Sequence, residues 1–191
     1  MEHKVRPWHT IDTEYIIRRP WLTARRDRVR LPDGRVNDEF YVLEYPSWVN
    51  IIAITDDGRF VLVEQYRQGL GRIQFELCAG VVEDGETPLQ GARRELLEET
   101  GYAGGEWSLI SVISGNPSTT DNLTYCFVAK GVTFSGARHL DATEDIAVHL
   151  VSRDELIELM KSDRMKQSLM LAPLWKYFAA ETMGFDPVVE P

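Results

Sequence analysis

Residues 80–102 read GVVEDGETPLQGARRELLEETGY, and three glutamates near the end, Glu95, Glu98 and Glu99, carry the reading. Each helical residue advances ~100°, so positions i, i+3 and i+4 share a face. The three carboxylates are therefore expected on one side of a helix. Leu89, Ala92 and Leu96 form a neighbouring apolar stripe suited to a core. Like charges at this spacing destabilise a helix by a few tenths of a kcal/mol per pair, roughly. A hard divalent cation resolves the conflict, because Mg²⁺ prefers carboxylate, water and phosphate oxygens. The helix start is marked by Thr87 as N-cap, Pro88 at the first helical position and Gln90 completing a capping box. Gly101 stands where a left-handed C-terminal residue is expected. Gly85 can take positive φ in the preceding loop, and QFELCAG before it alternates as a strand.

Gly80, Glu86, the run Arg94-Glu95-Leu96-Leu97-Glu98-Glu99 and Gly101-Tyr102 resemble the Nudix box in residue type and spacing. Tyr102 departs mildly, since that position is more often aliphatic. A solvated acidic helix with a glycine turn does not account for the spacing of Glu86 and Arg94. The resemblance implies an α+β fold, an α/β/α sandwich with a mixed central sheet. It also implies metal-dependent hydrolysis of a nucleoside diphosphate linked to another group. Mg²⁺ is the expected cofactor, with Mn²⁺ as the alternative. Glu95, Glu98 and Glu99 would be metal ligands together with the backbone carbonyl of Ala79. Arg94 would orient the carboxylates, and Glu86 would stand behind them or serve as an outer ligand. Gly80, Glu86 and Gly101 are the structural positions of the box.

A chain of 191 residues suits one domain with a small extension. The net charge of −9 argues against nucleic acid or an anionic membrane as the main partner. Phosphate groups must then be met by local arginines and metal. Cys78 and Cys126 lie in expected strands and read as buried thiols, not as a disulfide framework. No apolar run reaches membrane-spanning length and the first ten residues lack a signal-peptide core, so a cytoplasmic location is expected.

Residues 1–45 read as a small N-terminal β-sheet subdomain, and 46–191 as the hydrolase domain. Ala24–Leu31 and Val36–Tyr45 are strand candidates joined by the turn Pro32-Asp33-Gly34. The arginines at 25, 26, 28 and 30 form either a solvated strand face or contacts to substrate or a second subunit. The order WLTARRDRVRLPDG, a second strand and VLEYPS resembles the N-terminal region of ADP-ribose pyrophosphatases. That resemblance implies a homodimer in which this region completes the partner's site. Further strands are expected over Val49–Thr55, Phe60–Tyr66, Trp107–Ser114, Leu123–Ala129 and Ile146–Val151, with helices over Arg153–Lys161 and Gln167–Met183. Pro173 would kink the last helix or mark its start, and Leu169, Leu171, Leu174, Trp175 and Phe178 are its core candidates.

EQYRQGLGRIQFELCAG also resembles the ADP-ribose pyrophosphatase segment, with Cys78 where a proline is usual. By that match Arg67 meets phosphate and Glu76 lies near the base or ribose. Pro117, 16 residues after Gly101, resembles the secondary signature of those enzymes, although the flanking STTDN is atypical. EDIAVHLVSRDEL resembles the segment carrying the late catalytic loop. Glu144 is the first candidate for general base, and Glu98 is the second. His149 alternates within a strand and reads as structural. Trp21 and Trp48 are either stacking surfaces for a base or core residues. The expected substrate is a nucleoside diphosphate sugar, ADP-ribose first. GDP-mannose on the same scaffold is the nearest enzyme rival, and a non-catalytic ADP-ribose sensor is the rival of another class.

Overall fold

A computed structural model describes residues 4–136, 138–140 and 144–189. The chain divides into two compact units, Met1–Tyr45 with Ser114–Asn122, and Pro46–Ile113 with Leu123–Pro191. The first contains an antiparallel sheet of β1 (His9–Arg19), β2 (Leu22–Arg30) and β3 (Val36–Glu44). β1 was not expected. Its side chains are exposed on both faces, so no apolar alternation marks it. Pro20 and Trp21 turn the chain between β1 and β2. The segment 114–122 packs with this unit: Leu43 N–H donates to the Thr119 carbonyl at 2.7 Å, and Arg25 pairs with Asp121 at 3.5 Å.

The second unit is built on a mixed sheet of β4 (Trp48–Thr55), β5 (Phe60–Arg67), β6 (Arg72–Glu76), β7 (Cys78–Val81), β8 (Tyr102–Ile113), β9 (Thr124–Phe134) and β10 (Ile146–Val151). β4 and β9 run parallel, whereas the other pairings are antiparallel. Alternation sorts the core into two faces. Val49, Ile51, Ala53 and Val61 pack with Ala92 and Leu96 of the box helix. Ile52, Ile54, Phe60 and Leu62 pack with α2 (Arg153–Lys161) and α3 (Ser168–Met183). The unit is thus an α/β/α sandwich. Both cysteines are buried free thiols.

Three local expectations change. QFELCAG is not one strand, because Leu77 interrupts it. Leu77 is buried and its N–H meets Met170 Sδ at 3.2 Å, so the chain leaves β5 as β6 and joins β4 as β7. β8 starts at Tyr102 rather than Trp107, a start hidden by two glycines. Gly105 has φ 78°, and a Cβ there would lie 2.6 Å from the Lys130 carbonyl oxygen. Trp175 is 46% exposed and is not a core residue, whereas Leu174 is fully buried.

Pro173 lies inside α3. It has no N–H for the carbonyl four residues back, that of Leu169. Asn50 Nδ2 donates to that carbonyl instead, at 2.7 Å. His149, expected to be structural, lies in β10 with Nε2 2.9 Å from Glu64 and its ring against Phe75. Among the described residues no helix is long and apolar enough to cross a membrane. Leu174→Ala should cost about 2–5 kcal/mol in urea unfolding, and Trp175→Ala under about 1 kcal/mol. Equal losses would contradict this packing.

Candidate active site

The box helix begins as expected. Thr87 caps it, Gln90 closes the capping box, and Pro88 occupies the first turn of α1 (Pro88–Glu95). It does not continue as a regular helix. Leu96–Thr100 form a π-helical turn, ended by Gly101 at φ 75°. The wider i→i+5 turn alters the side-chain count across the acidic run. Glu99 goes inward and is 4% exposed, while Glu98 remains part-exposed beside Arg94.

Arg94 uses its whole fork. Nε and Nη2 donate to the Glu86 carboxylate at 2.9 and 3.0 Å, and Nη2 also reaches the Val81 carbonyl at 2.8 Å. Nη1 donates to Glu95 at 2.9 Å and Glu98 at 3.0 Å. One cation therefore orders three carboxylates and the end of β7. The Arg94 hydrogen bonds hold Glu86 below the usual carboxylate range. Glu95 folds over Gly80 so closely that a Cβ there would lie 2.0 Å from its carboxylate.

Glu99 Oε2 accepts from the Ala79 N–H at 3.1 Å, and the Cys78 thiol is a further partner. Burial raises Glu99 from an ordinary 4.5 to about 7, and Glu95 is raised chiefly by burial as well. The charge of Glu144 adds to the shift at both, so this acid of the late loop is felt at the carboxylate group. Asp141, Ala142 and Thr143 of the same loop lie outside the described residues.

Arg67 forks onto the buried Glu76, with Nε at 2.9 Å from Oε1 and Nη2 at 2.5 Å from Oε2. Arg67, Trp48, Ala79 and Gly80 wall a cavity of about 240 Å³. The expected metal ligands Ala79, Glu95, Glu98 and Glu99 are in the second unit, with Glu86, Arg94, Arg67, Glu76 and Trp48. Trp21, 78% exposed, and Pro117 are in the first. Arg138 was missed by the sequence reading. Its Nε donates to the Glu99 carbonyl at 2.7 Å, and its guanidinium also meets the Ile146 carbonyl. It comes from a loop without periodic pattern, so no sequence signal marked it.

Among the described residues no three Asp, Glu, His or Cys side chains stand ready around one ion. Arg94 and the Ala79 N–H occupy the carboxylate oxygens instead. The donor set nevertheless fits a hard divalent cation, being all oxygen, partly desolvated and richer in negative than positive charge.

The NUDIX domain family matches residues 45–171. The chain belongs to the NUDIX family. The nucleoside diphosphate sugar hydrolase N-terminal domain matches residues 8–43 of this Nudix chain. It is 34% identical over 160 residues to a methanol dehydrogenase activator of Bacillus methanolicus, covering 83% of this chain and 86% of that one. It is 31% identical over 154 residues to an ADP-ribose pyrophosphatase of Bacillus subtilis (strain 168), covering 80% and 83%. A crystal structure of an ADP compounds hydrolase superposes with a TM-score of 0.83 at 18% identity, covering 96% of this chain and 99% of that chain. At that identity the likeness concerns the fold.

The pH dependence of the metal-free Nudix chain follows from Glu99. Its folded pKa lies above its unfolded value, so the folded state holds the proton more tightly. That stabilisation is full below the unfolded pKa and is lost as pH rises through about 7. Urea stability in EDTA should fall between about pH 5 and pH 8, by on the order of 3 kcal/mol. Glu99→Gln should flatten the slope, and a wild-type slope in that variant would contradict the assignment. Gly80→Ala should leave the unfolding midpoint nearly unchanged but displace Glu95, weakening Mn²⁺ binding about tenfold or more. Unchanged Mn²⁺ affinity by calorimetry would contradict the steric argument.

Proposed function

We propose that this Nudix chain is a pyrophosphohydrolase of nucleoside diphosphate sugars, ADP-ribose first, releasing a nucleoside monophosphate and a sugar phosphate. The carrying observation is the Arg94-ordered carboxylate group lying directly against Ala79 and Gly80 of the cavity wall. The name of the Bacillus subtilis relative supports the choice of ADP-ribose. Glu95, Glu98 and Glu99, with the Ala79 carbonyl, would hold Mg²⁺, or Mn²⁺ as the alternative. When bound, that cation supplies positive charge against the diphosphate oxygens and acidifies water.

The chain's own groups do the rest. A water oxygen bonds to one phosphorus, the bridging P–O bond breaks, and the bridging oxygen leaves on the other phosphate. Glu144 takes the proton of the attacking water, with Glu98 as the alternative base. Arg67, held on Glu76 through Nε and Nη2, directs the rest of its guanidinium at phosphate oxygens. Trp48 lines the cavity, and Trp21 is exposed in the N-terminal unit; these are the proposed stacking residues for the base. Pro117 belongs to the segment packed with that unit and shapes its loop. The buried free thiols of Cys78 and Cys126 support a reducing, cytoplasmic setting.

A second copy of the chain is the proposed partner of the N-terminal unit. Trp8, Ile16, Trp21 and Tyr41 there are all exposed, which suits an interface. Light scattering should give twice the 21.9 kDa chain mass, and a monomer at micromolar concentration would contradict the dimer.

The functional test is a Mg²⁺-dependent hydrolysis screen over ADP-ribose, ADP-glucose, GDP-mannose, UDP-glucose, NADH and diadenosine polyphosphates, with a phosphatase coupled to the products. ADP-ribose should dominate, and Glu99→Gln should lower kcat by more than about 100-fold while remaining folded. Dominant GDP-mannose turnover would overturn the substrate. Binding of ADP-ribose without turnover would make the chain a sensor.

A further inference from the structure

Arg138 holds two elements of the second unit at once. β9 ends at Phe134, and the residues after it supply donors to the C-terminal end of the acidic turn. The Ser135 N–H and hydroxyl both donate to the Gly101 carbonyl, at 2.8 and 3.0 Å. The His139 N–H donates to the Glu98 carbonyl at 3.0 Å, and Arg138 Nε to the Glu99 carbonyl at 2.7 Å. The last carbonyls of a helix lack partners within it, and a basic side chain is an ordinary donor to them. Capping alone would need no more than these bonds.

Arg138 does more than cap. Its Nη2 donates to the carbonyl of Ile146, the first residue of β10. Ile146 is itself fixed, being 5% exposed and paired with Gln65 of β5. One planar guanidinium therefore bridges the peptide of Glu99 and the start of β10. Its fork sets the distance between those two peptides. Glu144 stands two residues before Ile146, and its charge is felt at Glu95 and Glu99. Arg94 orders the box carboxylates among themselves, whereas Arg138 relates their turn to β10.

We infer that Arg138 is a positioning residue for the hydrolysis, holding Glu144 in register with the carboxylates of the box turn. The inference rests on the proposed function and on Glu144 as its base. A base must lie within hydrogen-bond reach of the water it deprotonates, and a misplacement of about 1 Å costs on the order of 100-fold in rate.

The test is a double-mutant cycle on ADP-ribose hydrolysis with Mg²⁺, using Arg138→Gln, Arg138→Lys, Glu144→Gln and the combination of Arg138→Gln with Glu144→Gln. Circular dichroism and thermal unfolding verify the fold of each. Arg138→Gln should lower kcat about 10–100-fold and leave KM within about threefold. Arg138→Lys should lose nearly as much, because an ammonium keeps the charge but not the fork. With Glu144→Gln already present, Arg138→Gln should cost less than about threefold more, since the group it positions is gone. Mn²⁺ affinity by electron paramagnetic resonance should stay within about threefold in Arg138→Gln, whereas a support of the metal ligands would cost about tenfold or more. Amide hydrogen exchange at His139, which needs no turnover, should be about tenfold or more faster in Arg138→Gln than in the wild type.

Full kcat in Arg138→Lys, or a loss in Arg138→Gln that persists undiminished without Glu144, would overturn the inference. A tenfold fall in Mn²⁺ affinity would also overturn it and assign Arg138 to Glu99 instead. Equal exchange at His139 in the two proteins would show that the bridge holds nothing. An active wild type with unchanged kcat in Arg138→Gln would overturn the inference alone, whereas a wild type inactive on every nucleoside diphosphate sugar would overturn the hydrolase reading and the inference with it.

Discussion

The guanidinium of Arg94 is the contact on which the site depends. Five donor–acceptor contacts tie Glu86, Glu95, Glu98 and the Val81 carbonyl to one planar group. Without it, three carboxylates would crowd one end of a helix with only repulsion between them. With it, the loop before the helix, the helix itself and the end of β7 become one rigid corner. The hydrogen bonds to Glu86, Glu95 and Glu98 raise the Arg94 pKa above its ordinary value, which shows how strongly that charge is retained. Lysine could not replace it, having neither the fork nor the reach to several acceptors.

Glu99 is the complementary case. It lies outside the Arg94 cluster, is buried, and leans on the Ala79 N–H and the Cys78 thiol. A carboxylate so placed is costly in its charged form and is therefore ready to meet a cation. Two local irregularities create this placement. The interruption at Leu77 moves the chain from β5 to β4 and sets Ala79 at the helix. The π-helical turn then rotates Glu99 inward while Glu98 stays near solvent. Such turns recur at functional sites, and here the turn separates one buried acid from two ordered ones.

Much of this was readable from local chemistry. The capping box at Thr87 and Gln90 and the stripe of Ala92 and Leu96 depend on residues a few positions apart, and they stand as expected. Features set by distant parts of the chain were not readable. Nothing in QFELCAG announces that Met170 meets the Leu77 N–H. Nothing in the acidic run distinguishes an i→i+4 turn from an i→i+5 turn. β1 has exposed side chains on both faces, and so lacks the pattern that betrays a half-buried strand. Trp175 fits the apolar composition of α3 but faces outward. Asn50 did carry a signal, a lone amide within the apolar strand VNIIAIT. Its partner carbonyl is orphaned by a proline in another element, and only the fold brings the two together.

The central claim is that Arg94 organises a carboxylate group able to hold a divalent cation. The most direct measurement is Mn²⁺ binding by electron paramagnetic resonance to the wild-type chain and to Arg94→Lys, with circular dichroism verifying the fold. The account predicts a bound Mn²⁺ in the wild type and an affinity at least about tenfold weaker in the folded variant. Equal affinity in the two proteins would contradict it.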